Sequence, residues 1–106
     1  MVIIMNINEI FNMYFGIIED ERDKYTTKHN LIDILKLVML SALCGMDELD
    51  KIIDYGKSKK EFLEKEFEIK SIPSKSTLTR VFAMIDPKWL GLSIVGIVQS
   101  LIKENN

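Results

Sequence analysis

Five residues within seven positions, Ser74, Lys75, Ser76, Thr79 and Arg80, have the types and spacing to do chemistry. They lie in IPSKSTLTRVFAMIDP, residues 72–87, where Pro73 leads a turn and Asp86-Pro87 closes the segment. Ser74 is placed to cap a helix by accepting a first-turn amide. Along that helix Leu78, Val81, Phe82 and Ile85 recur at three-and-four spacing, which leaves the lysine, the arginine and the hydroxyls on the other side. Small polar and basic side chains on the free first turn of an anchored helix can reach phosphates and base edges in a major groove. The helix N-terminus itself favours a phosphate. Serine and threonine at a cap also satisfy orphan amides, so residue types alone leave two readings open, a DNA-reading turn and a solvated wall. Lys57, Lys59 and Lys60 add to the first. Residues 57–80 hold seven basic side chains against four acidic ones, in a chain of net charge −2. That is a local basic surface on a slightly acidic protein.

No other chemistry assembles. His29 is the only histidine and has no nucleophile beside it, so it is expected to cap a helix or face solvent. Cys44 is the only cysteine, which excludes an intramolecular disulfide and zinc held by several thiolates. Within its apolar run it is expected to be buried and inert. The carboxylates lie on solvated helix faces and in EDERD, residues 19–23. No glycine-rich phosphate loop is present, and the six methionines sit mostly where core filler belongs. No metal site and no cofactor are expected. The start, MVIIMNINEI, lacks the basic, apolar and cleavage regions of a signal peptide. The run Leu37–Met46 is about half of what a membrane span needs, and WLGLSIVGIVQSLI is interrupted by Ser93 and Gln99. The expectation is a cytoplasmic protein with no membrane span.

The elements that must position the 74–80 turn are helical. At 106 residues the chain is expected to form one small domain, a compact all-α bundle of five to six short helices with a helix-turn-helix-like segment. Residues 8–18 place Ile10, Phe11, Tyr14, Phe15 and Ile18 on one face. Asn30 can cap a helix over Leu31–Cys44 that is apolar nearly all round, hence central, with Gly45 ending it in the left-handed conformation. Asp47 is expected to cap a short helix closed by Gly56, and residues 58–67 give another with Phe62, Leu63 and Phe67 inward. Asp86-Pro87 starts a last helix running to about Lys103 on Leu90, Ile94, Val98, Leu101 and Ile102. Leu35, Val38, Ala42, Ile53, Phe62, Val81 and Phe82 are expected to be buried together.

Several of these segments, in order, carry a resemblance. IIEDERDK and HNLIDIL stand where one family has an acidic-basic entry and a histidine-led helix start. LSALCG and LDKIIDYG follow, and IPSKSTLTRVFAMIDP matches that family's isoleucine-proline-serine turn, Arg-Val-Phe and closing aspartate-proline. The chain resembles the N-terminal associated domain of bacterial insertion-sequence transposases of the H-repeat-associated type, over about residues 17–100. Asn30 replaces a common proline, Lys75-Ser76 a histidine-aspartate-like pair, and Leu49 a frequent tryptophan, departures that bear on DNA sequence preference. In that family a segment like AIDGK opens a catalytic core that supplies three carboxylates, whereas this sequence ends at IKENN.

The resemblance implies a non-catalytic module that binds or positions the DNA of terminal inverted repeats, without nuclease or transposase activity of its own. The contact residues would be Ser74, Lys75, Ser76, Thr79 and Arg80, with Lys57, Lys59 and Lys60 on phosphates. The alternatives are a protein–protein module that docks on a transposase catalytic core or on itself, and a decayed remnant of an insertion element.

Overall fold

The computed structural model describes residues 6–18 and 30–104. His29 and the EDERD segment lie outside them. The described residues form six α-helices and no strand, the all-α class that the periodicity predicts. Two units are distinguished, one from the chain's two ends and one from its middle.

The first unit holds α1 (Ile7–Phe15) and α6 (Pro87–Glu104), which pack on each other. Asn6 caps α1 by accepting the Glu9 amide at 2.8 Å. Ile10, Phe11 and Phe15 are buried, with the two phenyl rings 5.7 Å apart. On α6 Asp86 accepts the Lys88 amide at 2.9 Å, and Pro87 occupies the first helical position. The buried line of α6 differs from the expected one. Ser93 and Ile97 are fully buried, while Val98 and Ile102 are exposed. Ser93 Oγ lies 2.9 Å from both the Tyr14 and Trp89 carbonyl oxygens. Ser100 Oγ donates to Tyr14 Oη at 3.0 Å. A Cβ on Gly96 would run into the Tyr14 ring. On α6 the contact line therefore combines Ile97 with small and hydroxyl residues, Ser93, Gly96 and Ser100, while Leu92, Val95, Val98 and Ile102 stay exposed.

The second unit contains α2 (Leu31–Leu43), α3 (Leu49–Ser58), α4 (Lys60–Phe67) and α5 (Lys75–Met84). Asn30 caps α2 through the Ile32 amide at 2.9 Å, and Gly45 takes the left-handed φ of 84° just past its end. The core comprises Leu31, Ile34, Leu35, Leu37, Ile52, Leu63, Ile69, Leu78 and Val81, among others. Of the residues expected to be buried together, Leu35 and Val81 are buried, and Val38 and Ile53 are half-buried. Ala42, Phe62 and Phe82 are exposed. Phe62 stands one residue before the buried Leu63, and Phe82 one after the buried Val81. A step of one residue turns the helix by about 100°, enough to leave the core-facing line.

Three further expectations are corrected. Cys44 is exposed, because α2 stops at Leu43 and the residues at its end, Ala42 to Cys44, all face solvent, with Cys44 beside the Tyr55 hydroxyl. Asp47 does not cap α3. The Met46 amide bonds back to Ser41 O at 2.9 Å, so residues 44–46 are used in closing α2, and α3 starts only at Leu49 with Glu48 at its cap position. Gly56 does not close α3, which continues to Ser58 with Gly56 buried in its last turns.

Candidate nucleic-acid interface

The quoted turn is built as its residues dictate. Ser74 Oγ accepts the Thr77 amide at 3.2 Å and α5 starts at Lys75. Leu78 and Val81 are 0% and 1% exposed and pin the helix to the second unit. Ser74, Lys75, Ser76, Thr79 and Arg80 are all exposed. Successive residues turn by about 100°, so the open arc of α5 runs Phe82, Lys75, Thr79, Ala83, Ser76, Arg80. Part of the hydroxyl chemistry is already used locally. Thr79 Oγ1 donates to Lys75 O at 2.9 Å, and Ser74 Oγ lies 3.1 Å from Thr77 Oγ1.

A cleft of about 620 Å³ opens in front of this turn, lined by Asp50, Ile53, Asp54, Lys57, Ile72, Pro73, Ser74 and Lys75. It brings Lys57, Ser74 and Lys75 together. Ser76, Thr79 and Arg80 lie elsewhere on α5, and Lys59 and Lys60 stand exposed at the α3–α4 junction. The cleft also contains what sequence reasoning missed. Asp50 and Asp54, one turn apart on α3, set two carboxylates against the two ammonium groups. Lys75 Nζ is 3.4 Å from both Asp50 oxygens. With the Lys75 and Asp50 side chains 59% and 71% exposed, the pair contributes at most about 1 kcal/mol to the fold. Its consequence is electrostatic, because the first basic residue of the turn already has a counter-charge.

The linker that delivers α5, residues 68–74, is held from α2 by a buried polar pair. Lys36 is 1% exposed, and its ammonium donates to the Phe67 carbonyl at 2.9 Å. That carbonyl is one of the orphan acceptors at the C-terminus of α4, where the helix dipole favours a cation. Glu68 takes the left-handed φ of 60°, and the Ile69 amide reaches back to Leu63 O at 3.2 Å, completing the helix stop. Asp33 accepts the Lys70 backbone N–H. Burial pushes the Asp33 carboxyl above its usual range, against the opposing pull of Lys36 and Lys70. Burial likewise pushes Lys36 below its usual range, against Asp33 and Glu68. An alternation of apolar residues around α2 gives no sign of this lysine, whose methylene stem occupies a core position while its head finds a carbonyl.

The DDE_Tnp_1-associated family model matches residues 12–94, which include every candidate contact residue. The chain belongs to that family. It is 36% identical over 74 residues to "Putative transposase YncI" of Escherichia coli O157:H7 and 33% identical over 76 residues to "H repeat-associated putative transposase YhhI" of Escherichia coli K12. It is 35% identical over 77 residues to "Uncharacterized protein in dhlA 3'region" of Xanthobacter autotrophicus. These matches cover 69%, 70% and 71% of this chain but only 19%, 20% and 26% of the respective relatives. No solved structure matches the chain. The matched part of this DDE_Tnp_1-associated chain is the transposase-associated region, distinct from the DDE catalytic region. The H-repeat-associated resemblance of IPSKSTLTRVFAMIDP is thereby shown at the level of the family.

Proposed function

We propose that this transposase-associated domain binds or positions the terminal inverted-repeat DNA of an insertion element and does no strand chemistry itself. The observation that carries the reading is the first half of α5. Leu78 and Val81 anchor the helix, while Ser74, Lys75, Ser76, Thr79 and Arg80 all face open surface. Lys75 and Ser76 are placed for base edges or a phosphate from the first turn, and Arg80, further along, for the backbone. Lys57, Lys59 and Lys60 supply phosphate contacts from the neighbouring helix end. The arrangement is looser than a standard helix-turn-helix, whose turn spans about three or four residues. Here α3 packs on α5 with α4 and the 68–74 linker between them.

Strand cleavage and transfer need carboxylates fixed around a common metal pair. Among the described residues no three His, Cys, Asp or Glu side chains converge in that way. We assign that chemistry to the DDE core of a full transposase. A module of this kind works on the bacterial chromosome, in the cytoplasm.

The test is a mobility shift on the element's terminal repeat against a scrambled duplex, repeated across salt. Four to five phosphate contacts predict a slope of log affinity against log salt between about −3.6 and −4.5. The upper limit applies if Asp50 releases Lys75. Absence of a shift at low salt would overturn the proposal.

A further inference from the structure

Among the described residues, nothing covers the outer face of α6. Trp89, Leu92, Val95, Val98 and Ile102 are 41–57% exposed. The buried line of the helix, Ser93 and Ile97, lies on the opposite side. Leu92, Val95, Gln99 and Ile102 follow one another at three, four and three residues, which is the spacing of a coiled-coil seam. Gly91 and Val98 border the seam on one side and Trp89 on the other. A Cβ at Gly91 would meet nothing, so a second helix can approach closely there. From Trp89 to Ile102 the sequence contains no charged residue.

We propose that this face is a self-association surface, on which α6 of a second copy of this chain packs in parallel register. Three features select that occupant. An uncharged seam suits an equally uncharged partner, and the chain's own stripe is one of matching length, about 15 Å from Leu92 to Ile102. The repeat of three and four is what two identical helices need to interdigitate. Gln99 is the one polar residue within the seam, and only a parallel copy in register sets its amide against an identical amide that can both donate and accept. An antiparallel copy would place Gln99 against Val95.

The five half-exposed side chains offer on the order of 400 Å² of apolar surface per copy, taking roughly 150–250 Å² for a large side chain. That is about half the area per partner of a stable standard interface. The association is therefore weak and reversible, with a dissociation constant of about 10–100 µM.

The test uses the purified chain and needs no DNA, so its outcome is independent of the proposal above. In sedimentation equilibrium the wild type should show monomer and dimer in concentration-dependent balance. Trp89, the only tryptophan, should shift its emission to the blue over the same range. Val95 is 52% exposed and faces its own counterpart in the parallel register, so Val95→Glu should leave helicity unchanged. Two facing carboxylates should weaken dimerisation by about 30-fold or more. Val95→Lys should do the same, and mixing the two variants should restore a heterodimer of near wild-type affinity. Dimerisation that survives Val95→Glu, or a mixture without rescue, would overturn the proposal. So would a wild type still monomeric at about 500 µM. In that case a Trp89 shift on neutral vesicles would point to a lipid surface, and no shift would leave the face to another part of a longer chain.

Discussion

Replacing Asp50 with asparagine removes one negative charge from the cleft before α5 and keeps its shape. The Asp50 carboxylate is 3.4 Å from Lys75 Nζ through both oxygens, and both side chains are largely exposed. Losing the pair should therefore cost at most about 1 kcal/mol of stability, a melting shift of a few degrees. The effect on DNA should be opposite in sign. A phosphate seated on Lys75 would lie about 6–7 Å from the Asp50 carboxylate. Repulsion at that range is about 0.6 kcal/mol in bulk water and about 2.5 kcal/mol at a surface dielectric near 20. An intermediate value of about 1 kcal/mol corresponds to roughly five-fold tighter binding. Freeing Lys75 from its counter-charge should also steepen the salt slope by about 0.9, from near −3.6 to near −4.5. Fluorescence anisotropy of a labelled terminal-repeat duplex, titrated between about 50 and 200 mM salt, reads both quantities. If Asp50→Asn binds no tighter than wild type at any salt while remaining folded, Lys75 does not meet a phosphate.

Gly96→Ala should destabilise the α1–α6 unit by about 1–2 kcal/mol in chemical denaturation, because the new methyl displaces Tyr14 from Ser100 and outweighs the gain in helix propensity. Phe82 is 38% exposed, so Phe82→Ala should cost about 1–2 kcal/mol, whereas Phe11→Ala, at a fully buried site, should cost about 3–5 kcal/mol. Equal losses would show that Phe82 is core after all. Asp33 has its folded pKa raised by burial, so its contribution to stability is full in acid below the unfolded value of 3.8 and is lost as pH rises through the folded value. Urea midpoints of Asp33→Asn relative to wild type should therefore move in the variant's favour from about pH 3 to pH 7, and a constant difference would contradict the shift.

Local signals in the sequence located the helices well. The caps at Asn30, Ser74 and Asp86, the left-handed Gly45 and the proline at position 87 all stand where side-chain chemistry places them. The inward line of α5 was legible at Leu78 and Val81 because period 3.6 fixes it. Phe82 and Phe62 were misread because apolar type does not separate the centre of a buried face from its border. Ser93 looked like an interruption of the last helix, yet it is the fully buried contact that joins α6 to α1. Its hydroxyl can satisfy itself on a carbonyl, which a hydropathy pattern does not register. The candidate contact residues were visible as exposed polar types on α5. Their carboxylate neighbour was not, because Asp50 and Lys75 are 25 positions apart and meet only through the packing of α3 on α5. Cys44 shows the reverse error. An apolar run suggested burial, but the end of α2 from Ala42 to Cys44 faces solvent.

The double substitution Lys75→Ala, Arg80→Ala tests the central claim most directly. Both side chains are exposed on α5 and neither belongs to the core, so circular dichroism and melting should remain near wild type. Affinity for the terminal repeat should fall about ten-fold or more at moderate salt, the preference over a scrambled duplex should collapse, and the salt slope should flatten by one to two units of about 0.9 each. A folded double variant with unchanged affinity, preference and slope would contradict the account and leave the first turn of α5 as a solvated wall.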